Sequence, residues 1–191
     1  MRLAFVFPGQ GSQSVGMMQG WGERAEVRAT FVEASDALGQ DLWALVTDGP
    51  IDLLNQTVNT QPAMLAADIA AWRVWQAAGG AIPALLAGHS LGEYAALVAA
   101  GALGFADAIR LVRFRAEAMQ AAVLSTRNRG AAVLIGIPRE EVMLSVPARS
   151  IPRMERRILG SIYGSARPEH DFATTLGAYR QQMIERIFSG L

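Results

Sequence analysis

The sequence predicts an α/β fold, a parallel sheet flanked by helices, from three observations. Short apolar runs, LAFVF at 3–7 and ALLAGH at 84–89, have the length and content of fully buried strands. Long stretches with helical period lie between and after them, so strand and helix alternate, as they do when helices carry the chain between parallel strands. At 88–92 an apolar run passes straight into a helix through Gly-His-Ser-Leu-Gly, a turn that belongs at the carboxyl end of a strand.

Composition narrows the function classes. A chain of 191 residues suits one domain, or one with a small appendage, and 51% hydrophobic residues, 18% charged residues and a mean hydropathy of +0.22 indicate a buried core rather than disorder. Lys+Arg and Asp+Glu balance at 17 each, which leaves no basic field for nucleic acid or anionic lipid. Cysteine is absent, excluding disulfides, thiolate metal sites and thiol nucleophiles. The opening MRLAFVFPGQ is too short for a signal-peptide core and lacks a cleavage site. No window reaches the 18 or so apolar residues of a membrane span, so a cytoplasmic protein is expected.

Each element has its own signal. LAFVF is stopped by Pro8 and the glycine-rich PGQGSQ. QPAMLAADIAAWRVWQAAGG reads as a helix opened by Pro62 and closed by Gly79-Gly80. LGEYAALVAAG is a helix ended by Gly101, and FADAIRLVRFRAEAMQAAV is another. From about residue 124 the character changes: LSTRNRG is polar, AAVLIGIP reads as a buried strand ended by Pro138, and RSIPRMERR, with four arginines, is a solvated basic segment. GSIYGSARPEHDF is rich in turn formers, and TLGAYRQQMIERIF is an amphipathic helix. The expected division is a core over 1–123 and a tail over 124–191.

The chemistry centres on Ser90. A strand that turns at once into a helix forces the intervening serine into a strained conformation, and its neighbours at 88 and 92 must then lack side chains. The hydroxyl stands exposed, and the Leu91 N–H lies at a helix N-terminus where it can stabilise an oxyanion. The same residues also fit a serine that merely caps the helix starting at Leu91. His89, next in sequence to Ser90, points away from its Oγ and reads as a packed histidine rather than a base. PGQGSQ is neither a dinucleotide fingerprint, since Ser14 stands where the third glycine belongs, nor a P-loop, since no Gly-Lys-Ser/Thr follows. On these residues alone Gln10 is equally a plain turn residue. At 100° per residue Arg110, Arg113 and Glu117 share one helix face, the natural solvent face, and Arg115 lies opposite with Leu111, Ala118 and Ala122. A guanidinium on an apolar face needs an anionic partner, either an internal carboxylate or an acidic ligand.

FPGQGSQ, TQPA at 60–63, GHSLGEYAALVAAG and RLVRFRAEAMQ stand in the order found in malonyl-CoA:acyl carrier protein transacylases, and residues 1 to about 123 resemble that family and the acyltransferase domains of polyketide and fatty-acid synthases. The resemblance implies an α/β-hydrolase-like core, here incomplete, and ping-pong transfer of malonyl from coenzyme A to the thiol of acyl carrier protein. It implies Ser90 as nucleophile, the backbone N–H groups of Gln10 and Leu91 as the oxyanion hole, and Arg115 on the malonyl carboxylate. Gln61 matches an active-site glutamine, although a helix-start role fits it as well. Malonyl-CoA and acyl carrier protein are the implied partners, with no cofactor and no metal. The family's general-base histidine and its ferredoxin-like subdomain are not recognisable, and His170 in RPEHDF sits in no such context. From about 130, GAAVLIGIPREEV, SIPRMERRILGSIYGSARPEHDF and TLGAYRQ resemble the C-terminal part of zinc-type medium-chain alcohol dehydrogenases. That stretch holds neither zinc ligands nor a glycine-rich cofactor loop, so it brings no chemistry of its own. Two rival readings are a serine hydrolase and a catalytically silent fragment that binds coenzyme A or carrier protein.

Overall fold

The computed structural model describes residues 3–21, 23–135, 148–161 and 177. The chain divides into two compact units, Met1–Ser125 with Arg139–Ser145 and Thr126–Pro138 with Val146–Leu191.

In the first unit β1 (Ala4–Phe7) pairs in parallel with β2 (Leu85–Gly88), Phe7 opposite Gly88. Between them run α1 (Ala25–Leu38), α2 (Leu42–Thr47), α3 (Ile51–Leu54) and α4 (Thr57–Ala77), and after β2 come α5 (Gly92–Ala99) and α6 (Phe105–Ser125). Asp41 caps α2 by accepting the Ala44 N–H at 2.9 Å, which satisfies one of the amides a helix start leaves free. Helix α4 is the axis of the unit. Its residues are apolar on most sides, and Ala63, Leu65, Ala66 and Ala70 are fully buried, as expected of a helix covered by neighbours on several faces. α1, α5 and α6 pack on it and supply Phe31, Ala95, Ile109 and Val112 to one core. Phe31, Ile109 and Val112 each contribute about 1.5–3 kcal/mol on burial, and the Ala95 methyl less. The inward side of β1 meets α4 through Phe5, whose ring lies edge-on to Trp72 with centroids 5.2 Å apart.

Four sequence expectations change here. Pro62 does not open α4: the helix begins at Thr57, and Pro62 sits inside it, with no N–H to offer the Val58 carbonyl. The earlier start is held by the Asn59 and Thr60 amides, both donating to the Gln56 carbonyl at 2.8 Å. β1 and β2 are half-buried rather than fully buried, because α5 and the Trp72 and Trp75 rings of α4 cover one side while Val6 and Leu85 on the other are 71% and 69% exposed. On α6 the buried stripe is Phe105, Ala108, Ile109, Val112 and Ala116, whereas Leu111, Ala118 and Ala122 are exposed. Arg113 borders that stripe instead of facing solvent: its guanidinium donates to Gln40, and burial pushes its pKa down while Glu117 opposes the shift. Arg115 is half-buried at the other border.

In the second unit β3 (Ala131–Ile135) pairs in parallel with β4 (Arg157–Ser161), and α7 (Ser150–Arg153) precedes β4. Glu155 bridges to the Arg129 Nε at 2.8 Å. β3 is not the buried strand expected, since Val133, Leu134 and Ile135 are all exposed. Within RSIPRMERR, Arg149, Arg153 and Arg157 are exposed and Arg156 is half-buried. Pro138, His170 and the amphipathic helix expected near the C-terminus lie outside the described residues, apart from Gly177. Among the described residues no helix is long and apolar enough to cross a membrane.

Candidate active site

The site is built where β1 and β2 end side by side. A Cβ on Gly88 would lie 2.0 Å from the Gly92 carbonyl group, and one on Gly92 would lie 2.2 Å from the Phe7 carbonyl oxygen. Neither contact is possible for a real side chain, so both glycines are required by backbone touching backbone. Between them Ser90 is left-handed, with φ 55°, a conformation that disfavours any residue bearing a Cβ. The strand-to-helix turn therefore takes the strained form its flanking glycines imply.

Leu91 is the N-cap of α5, and its side chain is buried, which pins the turn to the core. The amides of Gly92, Glu93 and Tyr94 donate to the carbonyls of His89, Ser90 and Leu91. Those bonds leave the Leu91 amide without an acceptor among the described residues, at the positive end of a helix. Ser90 does not cap α5; its Oγ accepts a hydrogen bond from Arg115 Nη2 at 3.1 Å. His89 is exposed rather than packed in the core, and its ring lies against Gly9, where an added Cβ would come within 3.0 Å of Nδ1. That close approach sets the PGQG loop directly beside the serine turn.

Two anchors hold the loop. Gln13, buried, accepts the Gly11 N–H at 2.8 Å and donates to Asn55 Oδ1 at 3.0 Å, just before α4. Gln10 accepts from Thr57 Oγ1 at 3.0 Å. From there a hydrogen-bonded chain runs back to the serine. Gln61 Nε2 donates to Thr57 Oγ1 at 3.0 Å and to Met119 Sδ at 3.4 Å. Gln61 Oε1 accepts from Arg115 Nη1 at 2.7 Å, and Arg115 Nη2 reaches Ser90. Tyr94 presents its ring 6.0 Å from the Arg115 guanidinium carbon.

The structure thus joins Ser90, Arg115, Gln61 and Gln10 in one network and puts the Leu91 amide at its edge. Gln61 does not have the helix-start role, because α4 begins a full turn earlier and buries Gln61 completely. Arg115 is paired with neutral oxygens rather than with an internal carboxylate. Sequence reasoning missed Thr57 and Tyr94. The spacing of Thr57 and Gln61, one helical turn apart, was the available signal, and placing the helix start at Pro62 hid it.

Residues 4–153 match the acyl transferase domain family. That match continues past residue 124, into the tail. The malonyl CoA-acyl carrier protein transacylase of Salmonella typhimurium is 57% identical over 137 residues, which cover 71% of this chain and 44% of that protein. Among solved structures, an acyl-carrier-protein S-malonyltransferase from Burkholderia pseudomallei is 66% identical with a TM-score of 0.63, over 64% of this chain and 40% of that one. A type II PKS acyl-carrier protein in complex with its malonyl-transacylase matches with 58% identity and a TM-score of 0.63, again over 64% and 40%. The chain spans less than half the length of each of these relatives.

Proposed function

The chain belongs to the acyl transferase domain family, and from that premise we propose that it takes the malonyl group of malonyl-CoA onto Ser90, for delivery to the thiol of acyl carrier protein. The observation that carries this reading is the strained Ser90 turn with its Oγ held by Arg115 at 3.1 Å. In the first half-reaction Oγ attacks the thioester carbonyl, the C–S bond breaks, coenzyme A leaves as its thiol and an ester to Ser90 remains. The carbonyl oxygen becomes negative in the tetrahedral intermediate and is met by the Leu91 and Gln10 amides. In the second half-reaction the carrier thiol attacks that ester and Ser90 regains its proton.

Arg115 selects the acyl group. In a malonyl ester only the acyl carbon and one methylene separate the serine oxygen from the free carboxylate. An arginine that touches Oγ can therefore grip that carboxylate by a small swing, and its fork suits two-point binding of such a group. An acetyl group offers it nothing.

Among the described residues the hydrogen-bond partner of the Ser90 Oγ is Arg115, which is neither a carboxylate nor an imidazole. Positioned base help is typically worth ~10²–10⁴ in rate. This is also the observation that favours a second reading, binding of coenzyme A or carrier protein without turnover. The location implied by the transacylase reading is the cytoplasm. Intact-mass analysis after incubation with malonyl-CoA separates the two: a malonyl adduct that disappears in Ser90→Ala supports transfer. An adduct that persists in Ser90→Ala refutes it, and binding with no adduct at all favours the silent fragment.

A further inference from the structure

We propose that Thr57 is a positioning residue that fixes the direction of the hydrogen-bonded chain between the loop carrying Gln10 and Arg115, and through it the malonyl selectivity of Ser90. The inference rests on the function proposed above. Its basis is donor and acceptor logic. A guanidinium can only donate, so Gln61 must turn its carbonyl oxygen to Arg115, as the 2.7 Å contact has it. The Gln61 NH₂ then faces the start of α4 and requires an acceptor there, because Gln61 is fully buried. Thr57 Oγ1 is the oxygen acceptor it meets, at 3.0 Å.

A hydroxyl that accepts still has one proton to place, and Thr57 places it on Gln10 Oε1 at 3.0 Å. The polarity of all four groups is thus set from the cation outward. Thr57 is the one member that both accepts and donates through a single atom. Met119 Sδ, at 3.4 Å from the same Gln61 nitrogen, is a weak acceptor and does not replace it. Without the hydroxyl, the Gln61 amide loses its oxygen partner or turns over. A turned amide would set N–H donors against the guanidinium, and Arg115 would leave the position that holds it beside Ser90. Gln10 would lose its side-chain tie to α4 at the same time.

The test compares Thr57→Val, which keeps the shape and removes the hydroxyl, with Thr57→Ser, which restores the hydroxyl; Thr57→Ala is a second hydroxyl-free variant should the valine protein not fold. Two readouts are taken. Hydrogen exchange of the Gln61 side-chain amide, followed by NMR on the ¹⁵N-labelled chain, reads the bond itself. Rates of Ser90 acylation by malonyl-CoA and acetyl-CoA, followed by intact mass, read its consequence. In the hydroxyl-free variants the exchange should quicken about tenfold and the malonyl-to-acetyl rate ratio fall about tenfold, the effect of one lost buried hydrogen bond. Thr57→Ser should stay within about twofold of the parent in both. Parent-like exchange in the hydroxyl-free variants, or a serine variant as impaired as the valine one, overturns the inference. If the parent protein takes no acyl group, the proposed function fails, and the exchange measurement alone still decides the role of Thr57.

Discussion

Asp68 lies on α4 about two helical turns beyond Gln61, on the helix that carries the site's buried amide. Its carboxyl is buried, Oδ2 has no hydrogen-bond partner among the described residues, and desolvation raises its pKa from 3.8 to about 7. The sign of the linkage follows. The folded chain holds this proton up to about pH 7, and the unfolded chain releases it near 4, so folding is opposed increasingly as pH rises between those values. Above pH 7 the full penalty applies, and the displacement corresponds to about 4 kcal/mol, a large fraction of the stability of a domain this size. Asp68→Asn keeps the shape and cannot ionise. Its uncharged amide shifts stability by an amount independent of pH, so the difference between parent and variant isolates the proton. Urea denaturation of both proteins at pH 4.5, 6 and 8 measures it. The variant should gain on the parent steadily across the series, by several kcal/mol at pH 8. Parallel stabilities from pH 4.5 to 8 would refute the reasoning and indicate a carboxylate that is solvated or paired.

Two further outcomes are expected at the site. Arg115→Ala should weaken use of malonyl-CoA by on the order of 2–5 kcal/mol in acylation rate while leaving acetyl-CoA nearly unchanged; equal loss for both substrates would make Arg115 a structural strut. Gly92→Ala should abolish Ser90 acylation and lower the melting temperature, because its Cβ would meet the Phe7 carbonyl oxygen at 2.2 Å, whereas Gly20→Ala, with nothing within 4 Å, should be silent in both assays. A Gly92→Ala protein that melts and reacts like the parent would contradict the close approach.

Much of the site was legible because its signals are steric and local. The two glycines around Ser90 stand for backbone contacts that tolerate no Cβ, and a single sequence shows them as clearly as coordinates do. The order of strand, turn and helix followed from apolar runs broken by glycine and proline, and α5 and α6 lie where the period put them. What failed depended on tertiary context. Pro62 resembles a helix opener, yet α4 starts five residues earlier, because the Gln56 carbonyl and the Asn59 and Thr60 amides close the first turn without it. Full burial of β1 and β2 was inferred from apolar content, but content does not reveal which side of a sheet its helices cover. Arg113 and Arg115 were assigned to opposite faces by angle alone, and both prove to border the buried stripe. An angle cannot say where a neighbouring helix ends. The link from Thr57 to Gln61 and onward to Arg115 needed α6 to be laid against α4, a contact between residues far apart in the chain.

The left-handed backbone at Ser90 sets folding against chemistry at one residue. A side chain held at φ 55° is disfavoured by about 1–2 kcal/mol relative to the ordinary right-handed region, and glycine alone would relieve it. Substitution toward greater stability therefore leads at this position to the residue without a hydroxyl. A variant library sorted only for thermal robustness should enrich glycine at 90 and empty the site of its proposed nucleophile. Selection for stability alone would work against the serine, and its retention would have to come from selection on the proposed acyl transfer.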